Sequence, residues 1–152
     1  MKFYEEIEKN KDKNISIYCD MDGVLAEYDI GNFDYETIRP LKSTIKKIEN
    51  LYKEKNINIY ILSICKTDSI VSDKLIWFKK YMSFLKDENI ILLSKEDKKY
   101  NGVSSKEIKS NYLKEHAKND VNIVIDDDND VIKYIRKNNE NVIVFQDSSL
   151  VD

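Results

Sequence analysis

Five short runs of isoleucine and valine, separated by longer stretches with helical spacing, restrict what this chain can fold into more than any other feature. The runs are Ile15 to Cys19, Ile57 to Ser63, Ile90 to Leu93, Val121 to Ile125 and Val142 to Phe145. Few polar residues interrupt them. A strand that is apolar on both sides of its pleat must be covered on both sides, as in a parallel sheet. Between the runs lie helix candidates at Leu41 to Lys55, Ser69 to Leu85, Ser104 to Lys118 and Asn129 to Asn138. Pro40 stands at a favourable first-turn position for the first of these, and Ser104 with Glu107 has capping-box spacing. The order βαβαβαβα with a final β predicts an α/β three-layer sandwich around a mainly parallel five-stranded sheet. Such sheets hold ligands at the carboxyl ends of their strands. Asp20, Ser63 and Asp126 all fall there.

A chain of 152 residues reads as a single domain, with its core at about residues 15–146, able to bury about two-thirds of its unfolded surface. The balance of 25 basic against 28 acidic residues gives a net charge of −3, so no global basic field recruits nucleic acid or an anionic membrane. Met1-Lys2-Phe3-Tyr4-Glu5-Glu6 is charged and lacks the apolar centre of a signal peptide, and no apolar run approaches the roughly 20 residues of a membrane span. A soluble cytoplasmic protein is the expectation. Cys19 and Cys65 sit in or just after apolar runs, where a small buried hydrophobe is the ordinary role. His116 is the only histidine, which argues against histidine triads and multi-histidine metal sites. The charged stretch from Lys95 to Gly102 reads as a solvated connection.

The first strand candidate runs directly into Asp20-Met21-Asp22-Gly23. Residues two apart in an extended segment point the same way, so Asp20 and Asp22 face one site if the strand geometry continues, and Gly23 lets the backbone turn beside them. Two carboxylates held this close repel unless a cation or a shared proton relieves them. Mg2+, which takes oxygen ligands and usually only one or two carboxylates plus substrate phosphate, is the natural cation. Taken alone, the same four residues read equally well as a solvated strand-end turn.

A second acidic cluster, Asp126-Asp127-Asp128-Asn129-Asp130, follows the strand candidate at Val121 to Ile125. Asp126, Asp128 and Asp130 match the first ligand positions of a calcium-binding loop. Val131 stands where that loop needs glycine, and Lys137 where it needs its bidentate glutamate. An acidic cap on the helix from Asn129 accounts for Asp128 or Asp130. It accounts less well for Asp126 and Asp127, which lie at the strand end on the same side of the sheet as Asp20.

With both clusters in place, the chain resembles the haloacid dehalogenase-like (HAD) phosphohydrolases over roughly residues 15 to 145. Asp20 to Leu25 is similar to the family's first motif, Asp-x-Asp-Gly followed by two apolar residues. Ser63 matches the second, an apolar strand ending in Ser or Thr. The third, a lone lysine, fits Lys109, with Lys106 as the alternative, and the fourth, a paired acid after a strand, fits Asp126-Asp127. That acid pair looks most like the 5'(3')-deoxyribonucleotidase-like subgroup. Trp77 is similar to that subgroup too, although an aromatic on a helix is more often core. The departure is a minimal cap: only the interval Ala26 to Arg39 separates the first motif from Pro40. Its aromatics Tyr28, Phe33 and Tyr35 either stack on a base or pack the flap onto the domain.

The resemblance implies a Mg2+-dependent phosphomonoesterase, with Asp20 as nucleophile, Asp22 as general acid and base, and Ser63 and Lys109 binding the phosphoryl oxygens. It implies metal ligation by Asp20, the backbone carbonyl of Asp22, and Asp126 or Asp127. The expected partner is a small phosphorylated substrate, a nucleotide above all, with no membrane and nucleic acid only as substrate. Two alternatives stand beside it: a phosphatase for a macromolecular end, either nucleic-acid phosphate or phosphoprotein, and a non-catalytic phosphate-binding module.

Overall fold

The computed structural model describes residues 2–151. A short helix α1 (Phe3–Lys9) leads into β1 (Ile15–Cys19), α2 (Lys42–Tyr52), β2 (Ile57–Cys65), α3 (Asp68–Tyr81), β3 (Ile90–Ser94), α4 (Ser105–His116), β4 (Val121–Asp126), α5 (Asn129–Asn138) and β5 (Ile143–Gln146). Short 3-10 turns occupy Asp87–Asn89, Lys98–Tyr100 and Asp147–Val151. The five strands pair in the order β3-β2-β1-β4-β5, and every pairing is parallel. This is the expected three-layer α/β fold.

The alternation of side chains along β1 builds the layers. Ile15, Ile17 and Cys19 enter a core shared with Phe3 of α1, Ile45 and Ile48 of α2, and Trp77 and Phe78 of α3. Tyr18 faces the other way, into a core with Leu113 of α4 and Ile132 and Ile135 of α5. Each buried isoleucine or leucine contributes about 1.5–3 kcal/mol by leaving water, and the central strand is buried along its whole length. The sheet therefore stands between two helical layers, as its apolar runs require.

Several local expectations are corrected. Phe3–Lys9 is helical, with Phe3 buried against Phe145, whereas the sequence there reads as a charged terminus. Pro40 does not open α2. It forms an isolated bridge with Ala26, and the helix starts at Lys42. Leu41 N–H donates to the Leu25 carbonyl at 2.8 Å, so Pro40 closes the flap instead. β2 continues past Ser63 to Cys65, because Ser63 to Cys65 still pair with β3. α3 ends at Tyr81, after which Met82 and Leu85 turn into the core. Cys19 and Cys65 are buried free thiols, and Ser104 Oγ accepts from the Glu107 N–H as the capping-box spacing predicts. Among the described residues, no helix is long and apolar enough to cross a membrane.

Candidate active site

Parallel neighbours β2, β1 and β4 deliver their carboxyl ends to one edge of the sheet, and the acidic residues meet there. Asp20 extends the pairing of β1 by one residue, its N–H donating to the Ile125 carbonyl at 3.0 Å. The chain then turns within a few residues. The Met21 carbonyl accepts from Val24, Leu25 and Ala26, and Gly23 N–H donates to the Ala26 carbonyl at 2.8 Å. Gly23 takes φ +80°, a conformation glycine adopts without a Cβ clash.

The carboxylates of Asp20, Asp126 and Asp127 offer oxygens that all lie within 4.8 Å of one another. Lys109, nearly buried on α4, stands among them, with Nζ 3.1 Å from Asp20 Oδ1 and 2.7 Å from Asp126 Oδ2. The Asp20 carboxyl is raised to about 7, first by burial and then by Asp126 and Asp22, against the opposing pull of Lys109. Asp127 is raised to about 6, first by burial and then by Asp126. Burial works against the Lys109 ammonium, yet Asp20 and Asp126 outweigh it and hold its pKa above the usual lysine range. Three acids against one ammonium leave an excess of negative charge at one point. An all-oxygen donor set of this kind suits a hard divalent cation such as Mg2+.

Asp22 lines the same cleft but its carboxylate turns toward α3 and the flap. Oδ2 accepts from Lys74 Nζ at 3.0 Å, and Oδ1 accepts from the Tyr35 hydroxyl at 3.2 Å. The side chain of Asp22 is thus outside the three-carboxylate group. Lys74 Nζ also donates to Ser63 Oγ at 2.8 Å, and Ser63 is buried. Burial and the neighbouring Asp22 both raise the Tyr35 phenol, which keeps it a neutral donor. Burial, then Asp20, drives the Cys19 thiol far up, so it is no nucleophile. A cleft of about 410 Å³ joins Asp20, Asp22, Ser63, Lys109, Asp126 and Asp127.

The remaining sequence candidates lie elsewhere. Asp128 caps α5, its Oδ1 accepting from the N–H groups of Asp130 and Val131, and Asp130 pairs with Lys106 at 3.2 Å. Lys106 is therefore engaged outside the carboxylate group. Trp77 is buried in the core, where its Nε1 donates to the Ile38 carbonyl at 3.1 Å. The flap is pinned at Tyr35 and Ile38, both buried, whereas Tyr28 and Phe33 stay exposed, with Lys66 4.9 Å over the Phe33 ring. Of the two sequence readings for these aromatics, packing describes Tyr35, and Tyr28 is left on the cleft wall.

Sequence reasoning missed Lys74. Its signal was present: Lys74 lies on the helical stripe of Ile70, Trp77, Phe78 and Tyr81, all of which pack on the core. A lysine on such a stripe needs an acidic partner, and Asp22 is that partner.

No family model matches the chain, and no curated protein matches it in sequence. Among solved structures it is similar to the HAD domain of the effector protein Lem4 from Legionella pneumophila. The two share 15% identity and a TM-score of 0.52, over 88% of this chain and 85% of that one. At that identity the likeness establishes the fold: the chain has a HAD-like fold.

Proposed function

We propose that the chain is a Mg2+-dependent phosphomonoesterase that works through an aspartyl-phosphate on Asp20, with a nucleotide or similar small phosphate as substrate. The observation that supports this most is the convergence of the Asp20, Asp126 and Asp127 carboxylates on Lys109 in one cleft.

Asp20 attacks phosphorus, forming the Oδ–P bond as the bond to the leaving oxygen breaks, which divides one hard displacement into two easier ones. Asp22 gives its proton to that leaving oxygen. It then takes a proton from water, whose oxygen attacks phosphorus and releases the Asp20 carboxylate. Lys109 and the Ser63 hydroxyl hold the transferring phosphoryl oxygens through charge-assisted and ordinary hydrogen bonds. Ser63 Oγ already accepts from Lys74, which leaves its own hydrogen free to donate. Asp20, the backbone carbonyl of Asp22 and Asp126 or Asp127 would hold Mg2+, which would supply the charge neutralisation that lets an anion approach a phosphate.

A second reading, a phosphorylated nucleic-acid end or phosphoprotein as substrate, is supported by the exposure of Tyr28 and Phe33 on the short flap beside the cleft. Phosphate release from nucleotides, sugar phosphates and phosphorylated oligonucleotides, assayed with Mg2+ and with chelator, tests both readings. Mg2+-dependent release from the small esters is expected. Turnover only of the oligonucleotides selects the second reading, and no release from any of them favours a non-catalytic phosphate-binding module.

A further inference from the structure

Lys74 is among the most deeply buried side chains of the domain, at 2% exposure, and it is charged. Packing alone does not explain it, because an ammonium on the core-facing side of a helix is costly unless its protons are satisfied. Its partners are two residues of the proposed chemistry, Asp22 Oδ2 at 3.0 Å and Ser63 Oγ at 2.8 Å, with the Tyr35 ring 5.5 Å away. Tyr35 in turn donates to the second Asp22 oxygen. Lys74 does not line the main cleft. It borders a smaller side cleft of about 250 Å³, which it shares with Asp22 and Tyr35.

We propose that Lys74, with Tyr35, is a positioning residue for the phosphoryl transfer inferred above, on which this proposal rests. The two donors occupy both oxygens of the Asp22 carboxylate, so the group cannot turn about χ1 toward the carboxylates of Asp20 and Asp126 without losing both hydrogen bonds. It is held instead on the α3 side of the cleft that it lines, which is where this proposal places the leaving oxygen. By donating to Ser63 Oγ, the same ammonium directs the Ser63 hydrogen away from α3 and toward the phosphoryl group. One buried cation from α3 thereby sets the orientation of a proton donor on the first acidic turn and of a phosphate-binding hydroxyl on β2.

A role exercised through Asp22 has a signature that a structural role lacks: it matters in proportion to how much the leaving group needs a proton. The test compares Lys74→Met and Tyr35→Phe with the wild-type chain in Mg2+, on a nucleoside 5'-monophosphate and on 2,4-dinitrophenyl phosphate. The alkoxide of the first needs protonation, and the phenolate of the second does not. Lys74→Met is expected to lower kcat/KM, which reports the first phosphoryl transfer and not the later attack of water, about 100-fold or more on the nucleotide while changing kcat/KM on the dinitrophenyl ester less than tenfold. The loss common to both substrates is the share carried by Ser63. Tyr35→Phe, which keeps the packing of the ring, is expected to show the same selectivity with a smaller loss. Equal losses on the two esters in a variant that melts like the wild type, or no loss on either, overturn the proposal. If Lys74→Met does not fold, Tyr35→Phe decides by the same criterion. A wild-type chain inactive on both esters, or an Asp20→Asn variant as active as wild type, instead removes the phosphatase reading and takes this proposal with it.

Discussion

The Cβ that Gly23 lacks would occupy the place taken by the Asp127 carboxylate. The turn after β1 and the acidic end of β4 thus fit together only because residue 23 has no side chain, and its φ of +80° imposes the same requirement a second time. Gly23→Ala is expected to cost about 1–2 kcal/mol for the backbone conformation alone, with more from displacing Asp127. Urea unfolding should show the loss, and isothermal titration with Mg2+ should show weakened binding because one of the converging carboxylates has been moved.

Lys109 and Lys106 differ in surroundings although both lie in the first turns of α4. Lys109→Met strands the buried Asp20 and Asp126 carboxylates, and removing one partner of such a set costs about 3–5 kcal/mol. Lys106→Met breaks an exposed pair with Asp130, for which about 0–1 kcal/mol is expected. Unfolding curves of the two variants check this. Phosphate affinity should fall only for Lys109→Met.

Stability without metal should depend on pH in a definite direction. The folded-state values of Asp20, about 7, and Asp127, about 6, lie above their ordinary value of 3.8. The folded chain therefore holds protons that the unfolded chain has released, and the stability they confer is complete below about pH 4 and is lost as pH rises through about 7. Mg2+ competes with these protons for the same oxygens. The rise in melting temperature given by a fixed Mg2+ concentration should therefore grow between pH 4 and 7, and Asp20→Asn should abolish most of that growth.

Asp20→Asn keeps the shape of the side chain and removes the nucleophile, so turnover should fall to background while the melting temperature holds or rises. Asp22→Asn should lose about 100- to 10,000-fold in kcat on a nucleotide, because an amide neither donates the proton nor accepts one. Steady-state assays with both variants check the covalent mechanism and the acid-base assignment separately.

Selectivity should be broad. Tyr35 and Ile38 are buried and tied to Asp22 and Trp77, so of the flap aromatics Tyr28 is the one on the wall of the main cleft. Little surface grips the substrate beyond its phosphate, and remote binding energy is what raises both selectivity and rate. Across a panel of mononucleotides, kcat/KM is expected to vary little and to stay modest. A strong preference for one base in a protein shown to be monomeric by size exclusion would contradict this.

Much of this arrangement is legible along the chain because it depends on local pattern. β1 and α5 have the boundaries that their apolar runs predict, and the two acidic clusters follow their strands directly. What is not legible depends on contacts made across the fold. Phe3–Lys9 carries too many charges to announce a helix, and it is the docking of Phe3 against Phe145 that buries its apolar face. Pro40 has the right chemistry to open a helix, but the return of the flap beside Ala26 claims it first. Lys74 stands out along the chain only by its place on the apolar stripe of α3, and that its partner is Asp22 emerges only when α3 lies over β2. The grouping of Asp127 with Asp20 likewise depends on β1 and β4 being neighbours, which no stretch of sequence states alone.

That neighbourhood also fixes when the site can come into being. β1 lies between β2 and β4, so Ile15 pairs with Ile57 on one side and with Val121 on the other. Asp20 and Asp22 leave the ribosome well before the strand that ends at Asp126, with Asp127 just after it. A nascent or truncated chain ending before Val121 has Asp20 and Asp22 but neither Asp126 nor Asp127, so its central strand has an open edge and the three-carboxylate group is not assembled. Such distant pairings form late and slowly, so the appearance of a cation-binding site during refolding would report that the whole sheet has closed.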